Sequence, residues 1–306
     1  MSAEATRPPE ATGVDGAIPV GAAGAGPRHR RASRATASSI FGWAGLAILV
    51  LLIAFPLYWA VVASFTPEAT LFREPSLWPR TLILDHYRAL FTTRHFWVPI
   101  RNSIVVAGST TIFCVVVGSL AAYALARLRF RGKAFILGFI LAVSMFPQIS
   151  IVSPLYLMLR ALGLINTYPG LILPYLTFAM PLTVWLLVGY FRQLPPDLEE
   201  AALVDGASRW QSFVKVLLPL SVPGLATTAI LTFIYSWNEF LFALSFTVGP
   251  DRQTVPVAIA LFRGQYQVPW GEILAAAVVA TVPVAAMVLV FQRRIVQGLT
   301  AGAVKG

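Results

Sequence analysis

From about residue 40 onward the chain alternates long apolar runs with short polar stretches, and the runs show no polar face at the helical period. A helix built from any of them is apolar on all sides, which suits burial in lipid or among other helices and not a surface helix in water. About 20 apolar residues cross a hydrocarbon core as a helix. Runs of that length fall near 40 to 64, 102 to 125, 134 to 158, 169 to 191, 222 to 247 and 272 to 292. Trp43, Trp59, Trp185 and Trp270 stand near several of their ends, where amphipathic rings favour the membrane interface. The pattern predicts an all-α integral membrane protein with six transmembrane helices. Pro56, Pro147, Pro154, Pro174, Pro181 and Pro283 fall inside these runs, as membrane helices tolerate where neighbours satisfy the freed carbonyls.

Before the first run the character changes. Residues 1–37 are rich in Ala, Gly, Pro and Arg and end in the basic stretch Arg28, His29, Arg30, Arg31, Arg34. This reads as a disordered basic tail ahead of a transmembrane domain over 38–306. A cleavable signal peptide is the competing reading, but the run that follows exceeds the usual 7 to 15 apolar residues, so the segment is expected to stay attached.

Composition supports the membrane reading. Hydrophobic residues make up 57% of 306 positions and charged ones 12%, about half the charged share of a soluble domain. The net charge of +10 does not point to nucleic acid, because the basic residues lie in clusters between apolar runs. They set orientation instead. With the N-terminus inside, the tail, the 126–133 loop, the 192–221 loop and the C-terminal tail carry fifteen of the 23 Lys and Arg, which predicts both termini in the cytoplasm. Cys114 is the single cysteine, and His29, His86 and His95 show no ligand spacing, so neither a disulfide nor a metal site is expected.

The 194–221 loop is patterned as structure. Asp197 with Glu200 has capping-box spacing after Pro195 and Pro196, and Ala201, Ala202 and Leu203 favour helix. Gly206 is expected to end that helix. Ser208 with Gln211 repeats the spacing, and a second helix is expected through Trp210, Phe213, Val214 and Leu217 until Pro219 stops it. A structured, partly apolar elbow suits a docking partner; the alternative is that Glu200 only caps and the apolar residues only pack on the protein's own helix ends.

The stretch EAALVDGA at 200–207, followed by VLLP at 216–219, resembles the signature of binding-protein-dependent importer permeases. Glu200, Ala201, Ala202, Gly206, Val216, Leu218 and Pro219 occupy its positions, with Val216 in place of the more usual Ile. Further stretches point to the maltose and trehalose type of carbohydrate permease: RNSIVVA at 101–107, AAYALARLRFRGK at 121–133, MFPQIS at 145–150, YSWNEF at 235–240 and QRRIVQGLTAGAVKG at 292–306. The likeness covers nearly the whole chain from about residue 40.

What the resemblance implies is a type I ABC importer permease fold in a bacterial cytoplasmic membrane, carrying a sugar such as trehalose or maltose inward. The elbow would be its coupling helix, inserted into a cleft of an ATPase subunit. Val204 and Trp210 would be gripped there while Glu200 and Asp205 meet basic side chains. The chain has no GxxxxGK[ST], so ATP and Mg would be held by a separate ATPase dimer, with a second homologous permease subunit and an extracytoplasmic sugar-binding protein as further partners.

Glu239 is the one acidic residue in the interior of a predicted run, Glu272 standing at the first position of the last, and charge at membrane depth faces a pathway or a partner. Glu239 lies about 25 Å from the inner face at 1.5 Å per residue, so Asn238 and Glu239 either line the outer mouth or brace a partner helix. The outer loop over 248–271 is long and mixed. Its tip, Phe262, Arg263, Gly264, Gln265, Tyr266 and Gln267, suits a flexible finger into a sugar cleft, as the corresponding loop of maltose-type permeases implies; the alternative is headgroup anchoring by Phe262, Tyr266 and Trp270. An ion-coupled secondary transporter is the rival function, but buried ionisable residues at the midplane are not evident. A membrane enzyme ranks last, for want of HExxH, GxSxG or paired carboxylates.

Overall fold

The computed structural model describes the backbone at residues 29–73, 77–78, 81–262 and 268–303, with side chains between 42 and 292 of those stretches. All regular structure among the described residues is helical. The chain divides into two units, Met1–Phe55 and Pro56–Gly306.

The first unit contains most of α1 (His29–Ser64). That helix begins inside the 1–37 stretch read as a disordered tail, and residues 1–28 of the tail lie outside the described residues. From Gly42 to Phe55 every side chain is exposed, Leu51, Leu52 and Ile53 among them. Such a surface is stable against hydrocarbon and not against water.

The second unit carries the remaining elements: α2 (Glu68–Leu71), α3 (Asp85–Thr92), α4 (Trp97–Arg127), α5 (Lys133–Ser144), α6 (Gln148–Ala161), α7 (Tyr168–Gln193), α8 (Asp197–Val204), α9 (Arg209–Leu220), α10 (Val222–Trp237), α11 (Leu241–Phe246), α12 (Val255–Ala260) and α13 (Trp270–Ala303). At its centre α4 lies along α7. Gly118, Ser119 and Ala122 bring the backbones close, as small residues do between membrane helices. Thr183 on α7 and Thr232 on α10 share a buried hydrogen bond of 2.8 Å, which ties a third helix to the pair.

Among the described residues, four helices are long and apolar enough to cross a membrane, at Gly42–Ser64, Trp97–Arg127, Tyr168–Gln193 and Trp270–Gln292. Six is reached when two bent pairs each count as one span: α5 with α6, meeting at 89°, and α9 with α10, meeting at 75°. The first bend breaks the expected continuous span over 134–158, the second falls just before the expected span over 222–247, and that span has a separate break of its own. In the first, Pro147 takes an extended backbone (φ −63°, ψ 118°) as the N-cap of α6, because proline donates no hydrogen bond and displaces its predecessor from helical geometry. Pro56, Pro154, Pro174, Pro181 and Pro283 stay inside continuous helices. In the 222–247 span, α10 stops at Trp237 and α11 starts afresh at Leu241.

Three apolar clusters hold the second unit together. At the elbow end, Phe213 and Leu217 of α9 bury against Tyr123 and Leu125 of α4 and Leu187, Val188 and Phe191 of α7. A second cluster joins Leu159, Leu171, Tyr175 and Phe178 to Phe242 and Phe246 of α11. The third gathers Leu90, Phe96, Ala107, Trp237, Val255 and Ala276.

Candidate functional site

The segment between α7 and α10 folds as an elbow of two helices. α8 opens with Asp197, Glu199 and Glu200 in its first turn, where the positive end of the helix dipole favours carboxylates. The expected capping box of Asp197 with Glu200 does not form. Pro196 is the N-cap and its carbonyl accepts from the backbone of Glu199 and Glu200 at 3.0 and 3.1 Å, so the two prolines begin the helix one residue too early for Asp197 to cap it.

Gly206 ends α8 as expected, at φ +88°. Its own N–H donates to Leu203 at 3.1 Å and that of Ala207 to Ala202 at 3.0 Å, the paired bonds of a Schellman motif, which need a left-handed residue at that position. The capping box at Ser208 and Gln211 forms: Gln211 N–H donates to Ser208 Oγ at 3.3 Å, and Ser208 N–H to Gln211 Oε1 at 2.8 Å. Pro219, by contrast, does not stop the second helix. A wide turn over Phe213–Leu217, in which Leu218 N–H reaches back to the carbonyl of Phe213, carries it on to Leu220, and the bend falls at Ser221. Such π-turns absorb a local conflict in an α-helix; here they precede a residue without an N–H.

The elbow presents five large apolar side chains to the outside, Val204 at 87% and Trp210 at 62% exposed, with Leu198, Val214 and Leu220 less so. Glu200, Ala201, Asp205, Gly206 and Pro219 are also exposed, while Ala202, Val216 and Leu218 are half-buried. Beneath them α9 is anchored by Phe213, whose ring lies 5.8 Å from that of Trp210 and 4.6 Å from that of Tyr123. The elbow thus exposes apolar groups beside acidic ones, with Arg209 and Lys215 also exposed, on a base that is itself packed.

Sequence reasoning missed Glu199. It is buried, and Tyr123 Oη donates to its carboxylate at 2.6 Å. Its neighbour Glu200 is exposed. The signal was present in two adjacent glutamates on a short helix, which cannot share one face.

At the other end of α4 the residues of RNSIVVA fasten the start of the 248–271 loop. Asn102 Nδ2 donates to the carbonyls of Asp251 and Gln253 at 3.0 and 2.9 Å, and Tyr168 Oη donates to Asn102 Oδ1 at 2.8 Å. Ser103 Oγ accepts from Val255 N–H at 2.8 Å. Asn238 is exposed and donates to the carbonyl of Ile234 at 2.8 Å. Glu239 is buried and its two carboxylate oxygens accept from the N–H groups of Phe242 and Ala243 at 2.8 and 3.1 Å, so it caps α11 within this chain. That cap is the physical reason for the break in the fifth expected span. Phe262 is half-buried, 5.1 Å from the Arg94 guanidinium and 5.8 Å from the Phe96 ring. Arg263, Gly264, Gln265, Tyr266 and Gln267 lie outside the described residues. No group of three or more His, Cys, Asp or Glu able to hold a metal occurs among the described residues.

Residues 114–301 match the family described as binding-protein-dependent transport system inner membrane component. The chain belongs to that family. This permease is 49% identical over 86% of its length to the trehalose transport system permease protein SugB of Mycobacterium tuberculosis, covering 97% of that protein. It is 45% identical, again over 86%, to the trehalose/maltose transport system permease protein MalG of Thermococcus litoralis, covering 95% of it. The sulfoquinovosyl glycerol transport system permease protein SmoH of Agrobacterium fabrum is 43% identical over 82% of this permease and 89% of its own length. A bacterial ABC transporter that imports the acidic polysaccharide alginate shares the fold, with a TM-score of 0.73 at 23% identity, over 88% of this permease and 99% of that chain. The permease is thus a multi-pass membrane subunit of an ABC importer. Relatives give no support to the ion-coupled reading.

Proposed function

We propose that this permease carries a neutral disaccharide of the trehalose or maltose type into the cytoplasm, and that its elbow is the joint at which a separate ATPase subunit drives it. The sugar rests on the names of its relatives SugB and MalG. The joint rests on one observation: Val204 and Trp210 stand uncovered beside Glu200 and Asp205 on an elbow whose base is packed.

In this reading a cleft of the ATPase grips Val204 and Trp210, and its basic side chains meet Glu200 and Asp205. ATP and Mg belong to the ATPase dimer. Its closure displaces Glu200, Ala201, Ala202, Asp205, Gly206 and Trp210, and the motion passes through Leu218 and Pro219 into α10. A second permease subunit completes the pore, both termini and the elbow face the cytoplasm, and a binding protein delivers sugar at the opposite side. There the 263–267 tip, with Phe262 at its root, reaches the binding protein's cleft, and exposed Asn238 is the candidate to line the path.

The test is uptake of labelled trehalose and maltose in cells lacking the chromosomal copy. Gly206→Pro or Glu200→Lys should leave the protein in the membrane while co-purification of the ATPase and uptake both fall. Deleting residues 263–267 should impair release of sugar from the binding protein and spare ATPase docking. Wild-type uptake and docking in both elbow variants would remove the joint assignment.

A further inference from the structure

Beside its apolar packing, the elbow meets the transmembrane helices through a polar contact. Tyr123 and Arg127 stand four residues apart on α4, so they share one face a turn apart. Tyr123 Oη donates to Glu199 Oε1 at 2.6 Å and lies 3.5 Å from the carbonyl of Arg209. Arg127 Nε is 3.8 Å from Glu199 Oε2, and Arg127 Nη2 donates to the carbonyl of Leu194 at 2.7 Å. The side chains of Arg127 and Glu199 are 10% and 11% exposed. Four segments therefore converge: the end of α4, the linker after α7, the first turn of α8 and the start of α9.

A buried carboxylate and guanidinium hold each other in place, because moving either one alone strands a charge away from water. Slippage of α8 along α4 would break the Tyr123 bond and separate the ions together. Apolar contacts such as Phe213 on Tyr123 tolerate sliding far better, being non-directional. Glu199 also has no share in the exposed docking surface, unlike Glu200 beside it.

We infer that Tyr123, Arg127 and Glu199 form a positioning lock that makes the elbow and α4 move as one body, so that displacement at the docking surface is delivered to the central helix of the bundle. This rests on the elbow being the ATPase joint, and it adds a second route of transmission beside the covalent one into α10. It also gives a task to the AAYALARLRFRGK stretch, which supplies both α4 residues, and links it to the elbow signature.

The experiment uses the complete importer in proteoliposomes, with its companion permease, ATPase and binding protein, and measures sugar moved per ATP hydrolysed. Tyr123→Phe keeps the ring on Phe213 and removes only the hydroxyl; Glu199→Gln keeps an acceptor and removes the charge. Each should retain ATPase co-purification and binding-protein-stimulated hydrolysis while sugar moved per ATP drops about tenfold, the scale of one hydrogen bond to a charged group. The double variant should fall no further than the worse single one, since the groups act as a unit. Unchanged sugar per ATP in both single variants overturns the lock, and so does a double variant whose loss is the product of the two. Lost co-purification in both also overturns it, placing Glu199 in docking instead of transmission. Val204→Asp separates the underlying assumption: if that variant still holds the ATPase, the elbow is not the joint, whatever the Glu199 variants do.

Discussion

Gly224 sits where the elbow passes into α10, with its Cα facing the Tyr190 ring of α7; a Cβ there would lie 2.4 to 2.6 Å from three ring carbons. Gly206 poses the opposite case, since a Cβ would meet nothing within 4 Å but the backbone is at φ +88°. Gly224→Ala should therefore destabilise by about 1–3 kcal/mol through overpacking, and the same substitution should cost much less in a Tyr190→Ala background, which has no ring to meet. Gly206→Ala should cost about 1–2 kcal/mol as left-handed strain that no second-site truncation relieves, and Gly206→Asn less. Thermal unfolding of the purified complex in detergent measures both. Residue by residue, the elbow was partly legible: the glycine and the Ser208 box follow from local bonding rules that hold in any fold. Glu199 and Glu239 were not, because their roles depend on partners 76 residues away in one case and on a helix break in the other. A carboxylate in an apolar run says that something must satisfy it, and the cheapest satisfier is the next helix's own N–H groups.

At the scale of elements, Asn102 shows how the short turn over 250–253 is held without a strand or a disulfide. Removing its side chain as Asn102→Ala leaves the carbonyls of Asp251 and Gln253 and the hydroxyl of Tyr168 without that partner, a loss of about 1–3 kcal/mol for each group that stays dry. Asn102→Asp should be worse, since it sets acceptor against acceptor. Hydrogen exchange or limited proteolysis over 248–255 should report the loosening while the elbow end stays protected. Run length matched four straight spans among the described residues, but it could not tell a straight span from a bent one. Hydropathy sums over a window and is blind to where a chain of good helix formers turns. Pro147 breaks its segment and Pro154 does not, though they stand seven residues apart in the same run; α6 carries the second in its interior, as membrane helices tolerate.

For the whole molecule, the bias of fifteen Lys and Arg to one side sets an expected outcome for reporter fusions: phosphatase inactive after Lys133 and at Gly306, active at Asn166 and Gly249. The opposite pattern would invert the orientation and take the elbow away from any cytoplasmic ATPase. One feature of the far end bears on how such a protein is made. Glu68 accepts from the backbone N–H groups of Trp270 and Gly271 at 3.0 and 2.8 Å, across more than 200 residues of chain, and caps α13 from outside it. A ribosome adding about 5–20 residues per second needs about 10–40 s to travel that distance. Throughout that interval the carboxylate is finished and its partner is not yet made. The first loop can hold itself meanwhile through His86 on the Thr66 carbonyl and Tyr87 on Ser64, but in a nascent chain stalled before residue 270 Glu68 still lacks these two donors.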